Sequence, residues 1–457
     1  MSAPHPPDLL IENLAELATP LGTTSRRGAE QGAIRRITDA EILCRDGAIA
    51  FAGPRAERER RFGALDGVLR LDGARGTATP GFVDAHTHLP WAGSREDELF
   101  RRLAGESYQA IAAGGGGILS TVRATREAEA GEILGGTLGR LGWMLASGTT
   151  TAETKSGYGL SVADEVKQLT VIRDAARAQP VELVPTLLAA HEVPAEYRGS
   201  EASRARYVDL VCEEIVPRVA EEKLAVFCDV FCEKGVFSAA ESRRVLEAGK
   251  RYGLLPRLHA DEFADSGGAR LAAELGAFSA DHLMAISPGG IDALAATEGK
   301  VTALLLPGTS FFLAKRVYAP ARRLISAGVP VALATDCNPG SSYTESLPTI
   351  AQLAVFELGL SVEEALTALT LNAACSLGLG AAIGSLEEGK QADVVVHAAP
   401  NLRHLAYHYG VNPVRSVVKR GREVYRAGNL VAGAAGFGGP GRPDSAGSAR
   451  AATAGSS

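Results

Sequence analysis

Eight short apolar runs, at 82–86, 149–154, 183–189, 225–231, 255–259, 279–282, 301–306 and 331–335, recur along the chain with helical periodicity between them. Each run has the length of a buried strand and most have its Val, Leu, Ile and Ala content, and stretches such as 120–145, 162–178, 239–252 and 320–327 repeat apolar residues at helical spacing. Strands alternating with helices build parallel sheets with helical crossovers. Eight such units predict an α/β chain whose residues 79–383 close into a (β/α)8 TIM-like barrel. With 457 residues and 46% hydrophobic content, the chain has the apolar material for a core of that size.

The flanks keep a different rhythm. Short runs at 34–37, 41–43, 48–52 and 68–71, separated by turn residues, return in kind at 392–396, 414–418 and 423–425. They predict a small β-sandwich built from residues 1–78 and 384–431, which brings both ends of the chain together beside the barrel. Residues 432–457 are Gly, Ala, Ser and Pro with almost no large apolar side chain, the composition of a disordered tail. The formal charge of −6, without a basic cluster, argues against nucleic acid as a partner. No apolar run is long enough for a membrane span, and Met1 to Pro7 lack the regions of a signal peptide, so the expected location is the cytoplasm. Cys44, Cys212, Cys228, Cys232, Cys337 and Cys375 lack metal-finger spacing and read as reduced core thiols.

Polar side chains sit where the apolar runs stop: His86 and His88; Glu153 and Lys155 ahead of Tyr158; His191; Glu233; His259 with Glu262; His282; Thr309 with Ser310; Asp336 with Asn338. The C-terminal ends of barrel strands share one rim, and that rim is where such barrels carry their chemistry. His86 and His88, two residues apart on one strand, point to the same side of the pleat. With His259 and Asp336 they make a shell of three imidazoles and one carboxylate, which holds one divalent metal and leaves a position for water. This donor set suits zinc or iron better than magnesium or calcium, and the sequence does not choose between the two. Glu262 leaves its strand just after the ligand His259 and is placed to move a proton from water to a leaving group; Asp336 can share that role, and Asp261 is the weaker candidate. His282 is placed to donate to a developing oxyanion. Plainer readings stand beside these, with His191 and His282 as core or cap residues and Glu262 as a solvated loop acid.

The order His86-Thr87-His88, His259-Ala260-Asp261-Glu262, Asp281-His282, Asp336 along a barrel resembles the amidohydrolase superfamily in its single-metal branch. The closing Gly384-Ser385-Leu386-Glu387-Glu388-Gly389-Lys390-Gln391-Ala392-Asp393 resembles that superfamily's return into its β-sandwich. Longer runs are similar to the imidazolonepropionase family within it: Ala92-Gly93-Ser94-Arg95, Gly115-Gly116-Gly117-Ile118, Glu153-Thr154-Lys155-Ser156-Gly157-Tyr158-Gly159-Leu160, Asp336-Cys337-Asn338-Pro339-Gly340-Ser341-Ser342 and Tyr407-His408-Tyr409-Gly410-Val411-Asn412. The resemblance implies hydrolysis of the cyclic amide C–N bond of 4-imidazolone-5-propanoate to N-formimidoyl-L-glutamate, in L-histidine degradation. It implies catalysis by Glu262, His282 and Asp336, with the small-molecule substrate held by Arg95, Tyr158, His191, Glu262, Asn338, Gly340 and Ser341. Arg95 offers a fork for the carboxylate, its alternative being a surface arginine, and Tyr158 could equally be packing. One departure is Leu89-Pro90-Trp91, where a Val-Phe-like pair is expected; it bears on the loop that carries Arg95. The glycine run at 114–117 reads as a loop near the site.

Two other readings stay open. One is another single-metal amidohydrolase or aminohydrolase, acting on a small cyclic amide or nucleobase-like ring. The other is a non-catalytic assembly protein that kept the barrel. The outer helices can support a homodimer, with no interface motif to locate it.

Overall fold

A computed structural model describes residues 8–106, 115–427 and 429–430. The chain opens with five strands, β1 (Leu9–Thr19), β2 (Arg35–Arg45), β3 (Ala48–Pro54), β4 (Leu69–Asp72) and β5 (Thr77–Pro80). Nine more follow: β6 (Phe82–Asp84), β7 (Thr149–Lys155), β8 (Glu182–Ala190), β9 (Phe227–Cys232), β10 (Leu255–Pro256), β11 (Leu258–Ala260), β12 (Ser279–His282), β13 (Thr302–Leu305) and β14 (Val331–Leu333). The last four are β15 (Val394–His397), β16 (Val414–Lys419), β17 (Arg422–Arg426) and β18 (Asn429–Leu430).

The middle set is the expected barrel. Its strands pair in the order β6-β7-β8-β9-β11-β12-β13-β14, every pair parallel, with β10 continuing the β11 line against β9. Parallel neighbours need long crossovers, and helices such as Val162–Ala178 and Ala239–Arg251 supply them. The second of these starts at a capping box, Ser238 accepting from the Glu241 amide while the Glu241 side chain accepts from the Ser238 amide. The seam between the first and last strands is closed by backbone beyond their ends. The Asp336 amide donates to the His86 carbonyl at 3.0 Å and the His88 amide to the Cys337 carbonyl at 3.0 Å. One turn below, Thr335 donates its amide and its hydroxyl to the buried Asp84 carboxylate, at 3.1 and 2.6 Å. The chain thus closes its barrel with the same short segments that present His86, His88 and Asp336.

Both termini build a second sheet, in the order β18-β17-β16-β15-β5-β1-β2-β3 with β4 also on β1, and its nine strands are continuous by hydrogen bonding. Leu9, Ile11, Leu14, Ile42, Val394 and Val418 belong to the separate apolar core of this module. The barrel's larger core lies between strands and helices, and the helix Leu371–Ser376 packs Ala373 and Ala374 with Val83, Leu304 and Ala332.

The single helix expected over 120–145 is two helices, Ile118–Glu127 and Ala130–Ala146, because Ala128 and Glu129 are extended. Lys167, from the following helix, donates to the Arg126 and Ala128 carbonyls at 2.8 and 3.3 Å. That tertiary contact satisfies acceptors which a break would otherwise orphan, and helical periodicity carries no trace of it. All six cysteines are unpaired, five of them buried. Among the described residues no helix is long and apolar enough to cross a membrane. The tail at 432–457 and Gly114 lie outside the described residues.

Candidate active site

Charged residues embedded in apolar strands set up this site from below. Glu153 and Lys155 on β7, Asp229 on β9, Arg257 between β10 and β11, and Asp281 on β12 are all fully buried. Lys155 Nζ lies 2.8 Å from Glu153 Oε1 and 2.9 Å from Asp229 Oδ2, and Arg257 Nη2 lies 3.4 Å from Asp281 Oδ2. Burial alone would depress the Lys155 ammonium, but Asp229 and Glu153 outweigh it and hold the group above the usual lysine range. Burial likewise opposes the Asp229 charge, yet His259 and Lys155 hold that carboxyl well below its ordinary value.

Two of these carboxylates aim histidines. Asp281 Oδ2 is 2.7 Å from His86 Nδ1, and Asp229 Oδ2 is 3.0 Å from His259 Nδ1. A carboxylate on Nδ1 fixes the tautomer and turns the other ring nitrogen, with its lone pair, toward the barrel mouth. There His86 Nε2 and His88 Nε2 approach to 3.3 Å, and Asp336 Oδ1 is 3.6 and 3.4 Å from them. Potential ligand atoms of His86, His88 and Asp336 all lie within 4.8 Å of one another, as do those of His86, His259 and His282 and those of His88, His191 and His259. Burial holds the His86 and His88 imidazoles well below their usual pKa, so both rings are neutral and available as donors. Neither ring nitrogen of His259 makes a hydrogen bond: Nδ1 meets Asp229 as an ion pair at 3.0 Å, and Nε2 is buried with no partner. An orphaned imidazole nitrogen beside two others and a carboxylate fits a divalent cation far better than an empty polar cluster. Asp281→Asn is expected to weaken metal affinity by about 10- to 100-fold, read by competition with a chromogenic chelator.

The remaining predicted residues gather on the same rim. Thr309 Oγ1 donates to Asp336 Oδ2 at 2.7 Å. Glu262 is 6% exposed, with Oε1 3.8 Å from His282 Nδ1. Burial, with Asp336 and Glu233 nearby, pushes the Glu262 carboxyl well above its usual range, against the pull of Lys315. Burial lowers the His282 imidazole to about 3, which leaves it neutral. His282 and Asp336 both sit at positive φ, 76° and 53°, a conformation that costs roughly 1–3 kcal/mol and clusters at functional sites. His191 stacks on His88 with ring centroids 5.0 Å apart, its Nδ1 3.1 Å from the Gly157 carbonyl oxygen, and Tyr158 is 5.4 Å from His191.

Asn338 is committed to its own turn: Oδ1 accepts from the Gly340 and Ser341 amides, both at 2.8 Å, and Nδ2 donates to the Asp336 carbonyl at 2.6 Å. Arg95 meets this turn, its guanidinium lying against Gly340. Trp91, at the departure noted in the sequence, is buried beneath that loop. The Arg140 guanidinium stacks 3.3 Å from its ring centroid and Tyr343 packs edge-on at 5.4 Å, so the two loops share a support worth about 2 kcal/mol where such stacking is desolvated.

Two rim residues turn out to be scaffolding. Glu233 accepts from the Lys234 and Phe263 amides and from Ser266 Oγ, pinning the loop that carries Glu262. Asp261 accepts from the amides of Ser266, Gly268 and Ala269 at the start of the helix Gly268–Leu275. Sequence reasoning named Lys155 and Asp281 without giving them a role and passed over Asp229 and Arg257, whose signal was a charge inside an otherwise apolar run.

Residues 239–424 match the amidohydrolase family. The chain is 50% identical over 428 residues to imidazolonepropionase of Symbiobacterium thermophilum, covering 93% of this chain and 99% of that protein. It is 46% identical over 426 residues to imidazolonepropionase of Porphyromonas gingivalis, again 93% and 99%. Among solved structures it is similar to a zinc-bound adenosine deaminase from Xanthomonas campestris, with a TM-score of 0.68 at 22% identity, covering 94% of this chain and 95% of that one. Guanine deaminase of E. coli superposes with a TM-score of 0.65 at 17% identity over 92% and 99%. At such identities these two likenesses speak for the fold alone.

Proposed function

The chain belongs to the imidazolonepropionase family of amidohydrolases, and on that premise we propose that it opens the ring of 4-imidazolone-5-propanoate, adding water across the cyclic amide C–N bond to give N-formimidoyl-L-glutamate in L-histidine degradation. One observation carries the reading: a guanidinium, Arg95, lies against Gly340 on the turn that follows Asp336, on the same rim as the imidazole cluster. A substrate with a propanoate arm uses that cation. An aminated purine or pyrimidine ring has no carboxylate to offer it.

His86, His88, His259 and Asp336 would hold one divalent ion, zinc or iron, which supplies Lewis acidity to polarise the ring carbonyl and lower the pKa of water. Arg95 pairs with the propanoate, beside the turn of Asn338, Gly340 and Ser341. Tyr158 and His191 flank the substrate ring. Glu262 takes the proton of the attacking water and delivers it to the ring nitrogen as the C–N bond breaks, with Asp336 as a second acceptor. His282, neutral, donates to the carbonyl oxygen as charge gathers there. The unpaired thiols accord with a cytoplasmic location.

Freshly generated 4-imidazolone-5-propanoate, incubated with metal-replete and with chelated protein and followed by mass spectrometry, tests this directly. N-formimidoyl-L-glutamate is expected from the first sample, with loss of turnover in the second and recovery on adding metal back. Folded, metal-loaded protein that leaves this substrate intact while deaminating a purine or pyrimidine would overturn the assignment.

A further inference from the structure

Arg95 is only 12% exposed at its side chain, and two of its three guanidinium nitrogens already face a carboxylate. Its Nε and Nη2 both reach Glu98 Oε2, at 3.0 and 2.9 Å, which leaves Nη1 without a partner among the described residues. Glu98, 14% exposed, is itself anchored at its other oxygen: Oε1 accepts from the Gly117 amide at 3.0 Å and from Ser120 Oγ at 3.1 Å, where the helix Ile118–Glu127 begins. The free end of Arg95 occupies the place that a side chain at 340 would take. A Cβ built on Gly340 would stand 2.0 Å from Arg95 Nη1 and 2.7 Å from its Cζ. Gly340 is not among the glycines at positive φ, so its backbone makes no demand for glycine. The demand is for space.

We propose that Glu98 is a positioning residue that fixes the Arg95 guanidinium with Nη1 over Gly340, on the turn that follows Asp336, and that Gly340 is the recess that admits it, so that the pair sets selectivity for a carboxylate-bearing substrate. This rests on the reading of Arg95 as the partner of the propanoate. A guanidinium held at two of its three nitrogens loses little freedom on binding, and its remaining edge has one direction in which to donate. Loosening the clamp or filling the recess moves that edge away from the carboxylate while leaving the metal ligands in place.

The test compares kcat/KM for 4-imidazolone-5-propanoate with that for its neutral propanamide analogue, in the native chain and in Glu98→Gln, Gly340→Ala and Arg95→Met. Each hydrogen bond to a charged group carries enough energy that the carboxylate-over-amide ratio is expected to fall about tenfold in Glu98→Gln and about a hundredfold in Gly340→Ala. In an Arg95→Met background neither substitution is expected to lower the ratio further, because the group they position is gone. A ratio that stays at its native value in both single variants, with both substrates losing activity together, marks a structural role only and overturns the proposal. A ratio that survives Arg95→Met shows instead that the carboxylate is read elsewhere, which overturns the underlying assignment of Arg95. If Gly340→Ala does not fold, Glu98→Gln decides alone.

Discussion

Glu262→Gln is expected to bind metal as the native chain does and to turn over its substrate about 10²- to 10⁴-fold more slowly, the usual contribution of a positioned acid–base group. The carboxylate follows His259 by three residues yet is absent from every close metal-binding triad among the described residues, so its loss is expected to remove a proton carrier and not a ligand. Its loop is held independently of it: Glu233 grips the Phe263 amide and Ser266, and Asp261 caps the next helix. An amide at 262 is therefore isosteric in a site that keeps its shape. Steady-state turnover and bound metal, measured on one preparation, separate the outcomes. Low turnover with full metal content places Glu262 in proton transfer; native turnover removes it from the mechanism, and loss of metal would make it a ligand.

What the sequence made legible follows from periodicity and from residue type. The strand Ser279–His282 and the helix Val162–Ala178 fall where the residue pattern puts them, the strand buried on both faces and the helix along one. By contrast β1 was not readable as a strand, because a register shift between Ile11 and Leu14, with Asn13 at a φ of 57°, breaks the alternation that would mark it. The site divides in the same way. His86, His88, His259 and Asp336 announce themselves by chemistry at strand ends, whereas Asp229 and Arg257 each look like one stray charge in an apolar run. Only the pairing of neighbouring strands, β9 with β11 and β11 with β12, brings Asp229 to His259 and Arg257 to Asp281. Glu98 is hidden in part: its pairing with Arg95 is a local contact of one helical turn, but only the fold brings the Gly117 amide and Ser120 to its other oxygen.

Lys155→Met is expected to cost about 3–5 kcal/mol of stability, the penalty for breaking a buried ion pair from one side. The substitution keeps the length of the side chain and removes its charge, so Glu153 and Asp229, both fully buried, lose the cation that lies within 2.9 Å of each. Against a typical total of about 5–15 kcal/mol, such a loss is plain in a urea or thermal midpoint. A second consequence reaches the metal. Without Lys155 the Asp229 carboxyl takes up a proton more readily and no longer fixes the His259 tautomer, so metal affinity should fall by about 10- to 100-fold as well. The double variant Lys155→Met/Asp229→Asn distinguishes the two effects. Neutralising the stranded carboxylate should recover part of the lost stability, while metal affinity stays low because an amide does not orient the imidazole as a carboxylate does. A single variant that loses less than about 1 kcal/mol and binds metal normally would mean that the buried charges beneath the cluster neither hold the barrel nor aim its ligands.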